Sequence, residues 1–330
     1  MDWGQIITQT LQSAVGREAV VWALLAIGLN VHFGYTGLLN FGQVGFMAVG
    51  AYGMAISVTE FGWSVWVGIL VGLGGAALLA LLLGIPTLRL RADYLAIVTI
   101  AAAEIFRRVM AVPNFKEVTG GADGLSAFAG GFYDINPIPD GNYGFGPWRY
   151  DGREAWQLLV GWGVVLLAVL VTYLLMRSPW GRVVRAIRED EDAARSLGKN
   201  VYGYKLQSLL VGGLIGALGG MMFALWQSAL NPGAYAPGAT FLAYTALILG
   251  GAARIWGPVV GSAILWGVLR FADVALRQAI DAGYVSDSVM TPSQVGSVRF
   301  ILMGALLALL VIFRPQGIFG DPREIALEPR

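Results

Sequence analysis

Glu104, Arg107 and Arg108 stand at i, i+3 and i+4 within an apolar run. On a helix that spacing lets the carboxylate pair with both guanidinium groups. A carboxylate at membrane depth has to face protein or a water-filled cavity. The plainer reading is a structural ion pair near an interface, with the arginines reaching toward water. Glu104 with Arg108 is therefore the candidate intramembrane pair. Arg270, Asp273 and Arg277 repeat the spacing and read the same way. A second polar group is uncharged: Asn40 and Gln43 lie in a stretch with glycines at 37, 42, 45, 50 and 53. Each interior glycine weakens a helix by about 1 kcal/mol relative to alanine. Either the stretch is a helix packed closely against others, or it is broken and offers free N–H and C=O groups to a polar ligand. The two readings are compatible. The candidate pathway residues are Asn40, Phe41, Gly42, Gln43, Gly45, Tyr52 and Thr99, although a bond from Thr99 to its own helix backbone explains that residue more simply.

Other chemistries lack their residues. There is no cysteine, which removes disulfides, thiolate metal sites and cysteine nucleophiles. His32 is the single histidine, so neither a histidine-based metal site nor a triad is expected. It falls near an expected membrane boundary without an evident partner and is assigned no role. No G-x-x-x-x-G-K-[ST] run occurs; Gly198-Lys199-Asn200 lacks the Ser/Thr, the preceding glycine and the preceding strand. The expectation is a chain with no catalytic residue, no metal and no cofactor of its own. A net charge of +1 gives no electrostatic case for nucleic acid.

These residues have to be positioned by helices in lipid. The 330 residues are 56% hydrophobic and 13% charged, against about 25% charged in soluble domains, and mean hydropathy is +0.65. A crossing helix needs about 20 apolar residues. Candidate spans are 18–34, 37–58, 63–85, 92–112, 155–176, 205–229, 239–253, 257–277 and 298–314. The expected fold is an all-α polytopic membrane protein of eight or nine spanning helices. It forms one transmembrane domain over 1–330, and 37–58 crosses once, breaks or re-enters. Pro86, Pro179, Pro232, Pro258 and Pro315 sit at or near proposed ends. The first apolar helix would direct insertion, since no cleaved signal is read at the N-terminus. Loop 177–204 carries six Lys/Arg, and loop 113–154 carries three among six acids. Positive loops stay in the cytoplasm, so 177–204 goes inside and 113–154 outside. Arg89, Arg91, Arg254 and the C-terminus then fall inside, and 278–297, without Lys or Arg, outside. The side of the N-terminus stays open.

The inside loop reads SPWGRVVRAIREDEDAARSLGKNVYGYK. Ser178 and Pro179 fit an N-cap and first helical position. Ile187, Ala194, Leu197 and Val201 recur at helical spacing, and Gly198 breaks the helix. Such a hairpin either hugs the headgroups or slides a ridge of small residues, Ala193 and Ala194, into a groove on a partner.

Asp192-Ala193-Ala194, followed after three residues by Gly198, resembles the cytoplasmic coupling motif of ABC import permeases, with Asp192 where Glu is usual. The surroundings resemble the branched-chain amino acid (Liv) permeases, and most closely their LivM-like branch. They are Arg185-Ala186-Ile187-Arg188-Glu189, Gly34-Tyr35-Thr36-Gly37 into Leu39-Asn40-Phe41-Gly42, Gly50-Ala51-Tyr52, Asp93 to Thr99, Thr119 to Leu125, Gly250-Gly251 through Gly261, and Arg314-Pro315-Gln316-Gly317. The stretch 126–154 looks like decoration.

The resemblance implies a multi-pass permease subunit in a prokaryotic cytoplasmic (inner) membrane. Its partners would be a homologous permease, two cytoplasmic ATPases that bind the ATP and Mg, and an extracytoplasmic substrate-binding protein. Contact with the ATPases would fall to Arg185, Ile187, Asp192, Ala193, Ala194, Leu197 and Gly198. Implied cargo is a branched-chain or related hydrophobic amino acid. The low charge suits urea or short amides equally, and the urea permeases share many of these blocks. A secondary transporter or channel would instead need a path of ionisable residues through the membrane, to which Glu104 adds little. A membrane enzyme would need paired carboxylates or nucleophiles that the chain lacks.

Overall fold

The computed structural model describes residues 2–88, 92–146, 148–282, 294–313 and 316–320. Arg89, Arg91, Arg314, Pro315, most of 278–297 and the chain after 320 lie outside the described residues. Fourteen helices are described: α1 (Trp3–Ala14), α2 (Arg17–Leu29), α3 (Gln43–Thr59), α4 (Val65–Thr87), α5 (Ala92–Met110), α6 (Lys116–Thr119), α7 (Gly130–Tyr133), α8 (Gly152–Arg177), α9 (Pro179–Glu189), α10 (Glu191–Ser196), α11 (Val201–Gln227), α12 (Gly238–Gly250), α13 (Gly257–Asp281) and α14 (Val295–Phe313). Four short strands, β1 (Leu125–Ser126), β2 (Asn142–Phe145), β3 (Trp148–Asp151) and β4 (Ala229–Leu230), make two antiparallel ladders, β1 with β4 and β2 with β3. The fold is all-α and polytopic. Among the described residues five helical segments are long and apolar enough to cross a membrane, counting Trp3–Tyr35 as one, and α3 and α12 are shorter apolar helices.

Every span read from the sequence falls on a helix, with two differences of detail. The chain turns helical at Trp3, well before 18, because Asp2 caps α1 by accepting from the Gln5 amide at 3.0 Å. Helix α1 is too polar to register as a span; Gln9 accepts from Arg270 at 2.7 Å and Gln5 from Gln278 at 3.0 Å, which lays α1 along α13. Helix α3 begins at Gln43 rather than at 37, so the Gly-rich stretch is broken. Pro179 and Pro258 open α9 and α13, where a missing N–H costs nothing. Pro86 lies within the last turn of α4, one residue before its end.

Packing runs on residue size. In lipid, apolarity does not drive helices together, so close backbone approach has to. The inner faces of α4 and α8 carry small residues, Gly68, Gly72, Ala76 and Ala80 on one and Gly161 and Ala168 on the other. Their outer faces carry Leu70, Leu78, Leu82 and Ile85, and Leu159, Leu166, Leu170 and Leu174, each more than half exposed. A soluble protein would place charge there. Helices α2 and α11 form the centre, with every residue from Ala19 to Leu29 buried. Side chains added at Gly50 and Gly53 would meet Ala217 of α11 and Gly72 of α4.

The two ends of the bundle differ. At one end lie the α9–α10 hairpin, the end of α2, and Ile85, whose carbonyl accepts from Tyr202 at 3.3 Å. At the other lie both β ladders. Here Tyr133 donates to the Leu225 carbonyl at 2.8 Å, Arg153 to Ser228 at 3.0 Å, and Arg17 pairs with Glu154 at 3.8 Å. The start of α2 therefore shares its end of the bundle with 113–154.

A Cβ at Gly72 would overlap the Gly50 carbonyl and the Met221 side chain. Gly72→Val is expected to lose about 1–3 kcal/mol, the usual cost of overpacking. Thermal unfolding of the purified protein checks this, and an unchanged midpoint would contradict the close α3–α4 crossing.

Candidate functional site

Helix α2 continues into a π-turn, Asn30–Tyr35, a winding common at functional interruptions. Residues 37–42 are then unwound before α3. The Leu38 amide, which in an α-helix would close on the Gly34 carbonyl, donates to His32 O at 2.9 Å. Gly37 takes φ +73, the left-handed region that glycine enters without penalty. Buried backbone groups need partners, and side chains supply them. Thr99 Oγ1 accepts from the Phe41 amide at 3.1 Å and Thr240 Oγ1 from the Val44 amide at 3.0 Å. Tyr244 donates to Asn40 O at 3.1 Å, and Thr36 and Ser208 both donate to Val31 O, at 2.8 and 3.1 Å. Asn30 spans to the α12–α13 turn, donating to Arg254 O and accepting from the Ala253 amide, each at 2.8 Å.

His32 sits at the centre of this arrangement and has a partner on each ring nitrogen, which the sequence did not show. It is fully buried. Its Nε2 is 3.1 Å from the Leu209 carbonyl, which can only accept, so Nε2 carries the proton. Nδ1 then accepts from Asn40 Nδ2 at 3.1 Å. Asn40 also donates to Gln43 Oε1 at 3.0 Å and accepts from the Gly42 amide at 2.9 Å, and Gln43 donates to Gly212 O at 3.0 Å. A neutral imidazole satisfies every group. A side chain at Gly212 would strike His32 and the Gly28 carbonyl, so the network depends on that bare backbone. One histidine amid apolar residues gave no sequence signal; its spacing of eight from Asn40 becomes contact only because the chain folds back at 37–42.

Six of the seven candidate pathway residues are buried within the chain: Asn40, Gly42, Gln43, Gly45, Tyr52 and Thr99. Thr99 does bond its own helix, donating to Ala96 O at 3.0 Å. Tyr52 packs edge-on to Phe106 with ring centroids 6.0 Å apart. Phe41 alone keeps an open face. It leans on Phe241 at 5.6 Å and Tyr244 at 5.3 Å, and Phe241 is 46% exposed.

The ion pairs read from spacing are present. Arg107 grips Glu104 through two bonds, at 2.7 and 2.6 Å, and Arg108 adds a third at 2.7 Å. Asp273 pairs with Arg270 at 3.4 Å and Arg277 at 3.2 Å. In the 113–154 segment Lys116 donates to Asp123 at 2.8 Å, which raises the lysine pKa and lowers that of the carboxyl. Among the described residues no group of three or more His, Cys, Asp or Glu could hold a metal ion.

At the hairpin end, Ser178 and Pro179 open α9 as expected, but Ser178 Oγ donates back to Leu175 O at 2.7 Å and leaves the first amides uncapped. Asp190 caps α10 through the Ala193 amide at 2.9 Å. Gly198, at φ +74, ends it. The expected ridge of small residues needs correcting: Ala194 faces inward and packs with Ile187 and Val201, while Ala193 and Asp192 face outward. Leu197, at 79%, is the most exposed large apolar side chain among the described residues. Glu191 pairs with Arg195 at 2.9 Å and with Lys205 of α11. Arg185 donates to Met176 O at 2.8 Å, and Arg188 to Gly34 O at 2.5 Å.

Small-residue packing, a helix broken inside the bundle and a hairpin at one face define an integral multi-pass membrane transport protein. The family model described as "Branched-chain amino acid transport system / permease component" matches residues 13–312, and the chain belongs to that family. It is thus a permease subunit of an ABC importer, a class that works with ATPase and binding-protein partners. Relatives include the high-affinity branched-chain amino acid transport system permease protein LivM of Salmonella typhimurium, 32% identical over 94% of this chain and 70% of its own length. LivM of Escherichia coli K12 is 31% identical over the same shares. LivH of E. coli K12 is 23% identical over 91% of this chain and 92% of its own.

Asn40→Leu would strip His32 Nδ1, Gln43 Oε1 and the Gly42 amide of their shared partner. Each buried group left unsatisfied costs about 1–3 kcal/mol, so a clear fall in the unfolding midpoint is expected. A variant that melts with the wild type would mean these bonds do not hold the break.

Proposed function

We propose that this chain carries branched-chain or related hydrophobic amino acids inward across a prokaryotic cytoplasmic membrane, as one of two homologous permease subunits. The α9–α10 hairpin and the C-terminus face the cytoplasm, and 113–154 and the start of α2 face outward. Two ATPase subunits, which bind the ATP and Mg, dock on the hairpin; a binding protein delivers cargo to the opposite face. The names of the relatives support the cargo. That both LivM and LivH of one organism resemble this chain supports a homologous partner, and the higher identity is to LivM.

One observation carries the docking: Leu197 projects, 79% exposed, from a hairpin outside the bundle that its own ion pairs hold stiff. An apolar residue at such a point fits a pocket on a soluble partner. Asp192 and Ala193 flank it; Ile187 and Ala194 keep the hairpin closed, and Gly198 ends α10 in time to present it. On the route itself, the open face of Phe41 with Phe241 offers an apolar wall beside the unwound backbone, matched to an aliphatic side chain. Asn40, Gly42, Gln43, Gly45, Tyr52 and Thr99 fix that wall from behind, and the Glu104 pair with Arg107 and Arg108 is structural.

Leu197→Glu is expected to abolish co-purification of the ATPase while the two permeases still assemble; full retention of ATPase and of stimulated hydrolysis would remove the hairpin as the docking element. In proteoliposomes of the complete complex, leucine is expected to compete for uptake and urea not, the reverse assigning the chain to urea or amides. Because the native chain has no cysteine, an impermeant thiol reagent applied to intact cells should label Asn142→Cys and spare Ser196→Cys. The opposite pattern would invert the orientation.

A further inference from the structure

Gly34 is where the π-turn hands over to unwound chain. Its carbonyl loses its helical partner because the Leu38 amide donates to His32 O instead. Arg188, on the cytoplasmic hairpin, donates to that carbonyl from Nη1 at 2.5 Å. A hydrogen bond from a charged group is among the stronger non-covalent links. The contact has a second half: the Gly37 Cα lies so close to Arg188 that an added Cβ would stand 3.3 Å from its Cγ. Around it, Tyr35 packs with Met176 and Val184, and the Arg185 guanidinium lies 5.8 Å from the Tyr35 ring. The hairpin thus grips the break at its carbonyl, its backbone and its aromatic ring.

We infer that Arg188 is the positioning residue through which movement of the cytoplasmic hairpin reaches the break at 37–42. The inference rests on the proposed docking of ATPases on that hairpin. Load applied at Leu197 passes through α10 and α9 to Arg188, and from Arg188 to the Gly34 carbonyl, which the Leu38 amide has released. Gly37, unwound and without a side chain, lets the backbone follow. Arg188 touches neither cargo nor nucleotide in this scheme; its effect is on where the wall at Phe41 stands.

The test uses the complete complex in proteoliposomes, with Arg188→Met, which keeps bulk and removes the donor, and Arg188→Lys, which restores a donor. Arg188→Met is expected to retain its ATPase but to lower leucine uptake per ATP hydrolysed about tenfold, the factor a lost charged hydrogen bond carries in an equilibrium. Arg188→Lys should recover part of it. A second reading needs no cargo: amide hydrogen exchange over 36–42, with and without ATP and vanadate. The wild type should show a nucleotide-dependent change there, and Arg188→Met should not. Equal uptake per ATP in Arg188→Met and wild type overturns the inference. So does an equal exchange response in the two, or a loss of uptake that only tracks lost ATPase. A wild type whose exchange responds to nucleotide but which takes up no leucine overturns the proposed cargo and leaves the role of Arg188 standing.

Discussion

Lipid offers no hydrogen bonds, so every backbone group released inside the bundle has to be met by the protein itself. The path of this chain from Asn30 to Val44 is shaped by that constraint. The π-turn and the unwound residues 37–42 free a series of carbonyls and amides, and hydroxyls from α5, α11 and α12 meet them together with the side chains of Thr36 and Asn40 from the segment itself. The buried polar residues of the centre, Asn30, His32, Thr36, Asn40, Gln43, Thr99, Ser208 and Thr240, are there because the helix stops. Buried polar groups without such a reason would weigh against the fold.

The same constraint links the break to the hairpin. One carbonyl of the break, that of Gly34, is met from outside the bundle, by Arg188 of the α9–α10 hairpin. The hairpin is itself anchored by Glu191 to Lys205 of α11 and by Arg185 to the end of α8. Its exposed residues, Ala193 and Leu197, therefore stand on a support that reaches the centre through few bonds.

The fold was largely legible in the sequence, because long apolar runs leave little choice of secondary structure. The helices that coincide with the candidate spans, the Glu104 and Asp273 ion pairs and the turn at Gly198 all follow from composition and spacing. What escaped has a physical cause in each case. Helix α1 is too polar to count as a span and is held by a cap and by partners on α13. Ala194 packs with Ile187 and Val201 as their helical spacing implied, but Leu197, counted on the same face, turns outward, because the six-residue α10 ends before it. The role of His32 depends on Leu209, distant in sequence, and on the fold-back that brings Asn40 to it. Glycines at 37–53 announced that something was unusual: 45, 50 and 53 pack helices closely, and 37 and 42 lie where the helix is broken.

The bonds of His32 to Leu209 and of Gln43 to Gly212 fasten α2 and α3 to α11 across bare glycine backbone. Neither bond can be exchanged for water, and no side chain lies between to act as a cushion. Sliding any one of these helices past another would strand several buried dipoles at once. Kinematically the three are a single body, stiff as a keel, and whatever rocks during the working cycle rocks around it or carries all of it together.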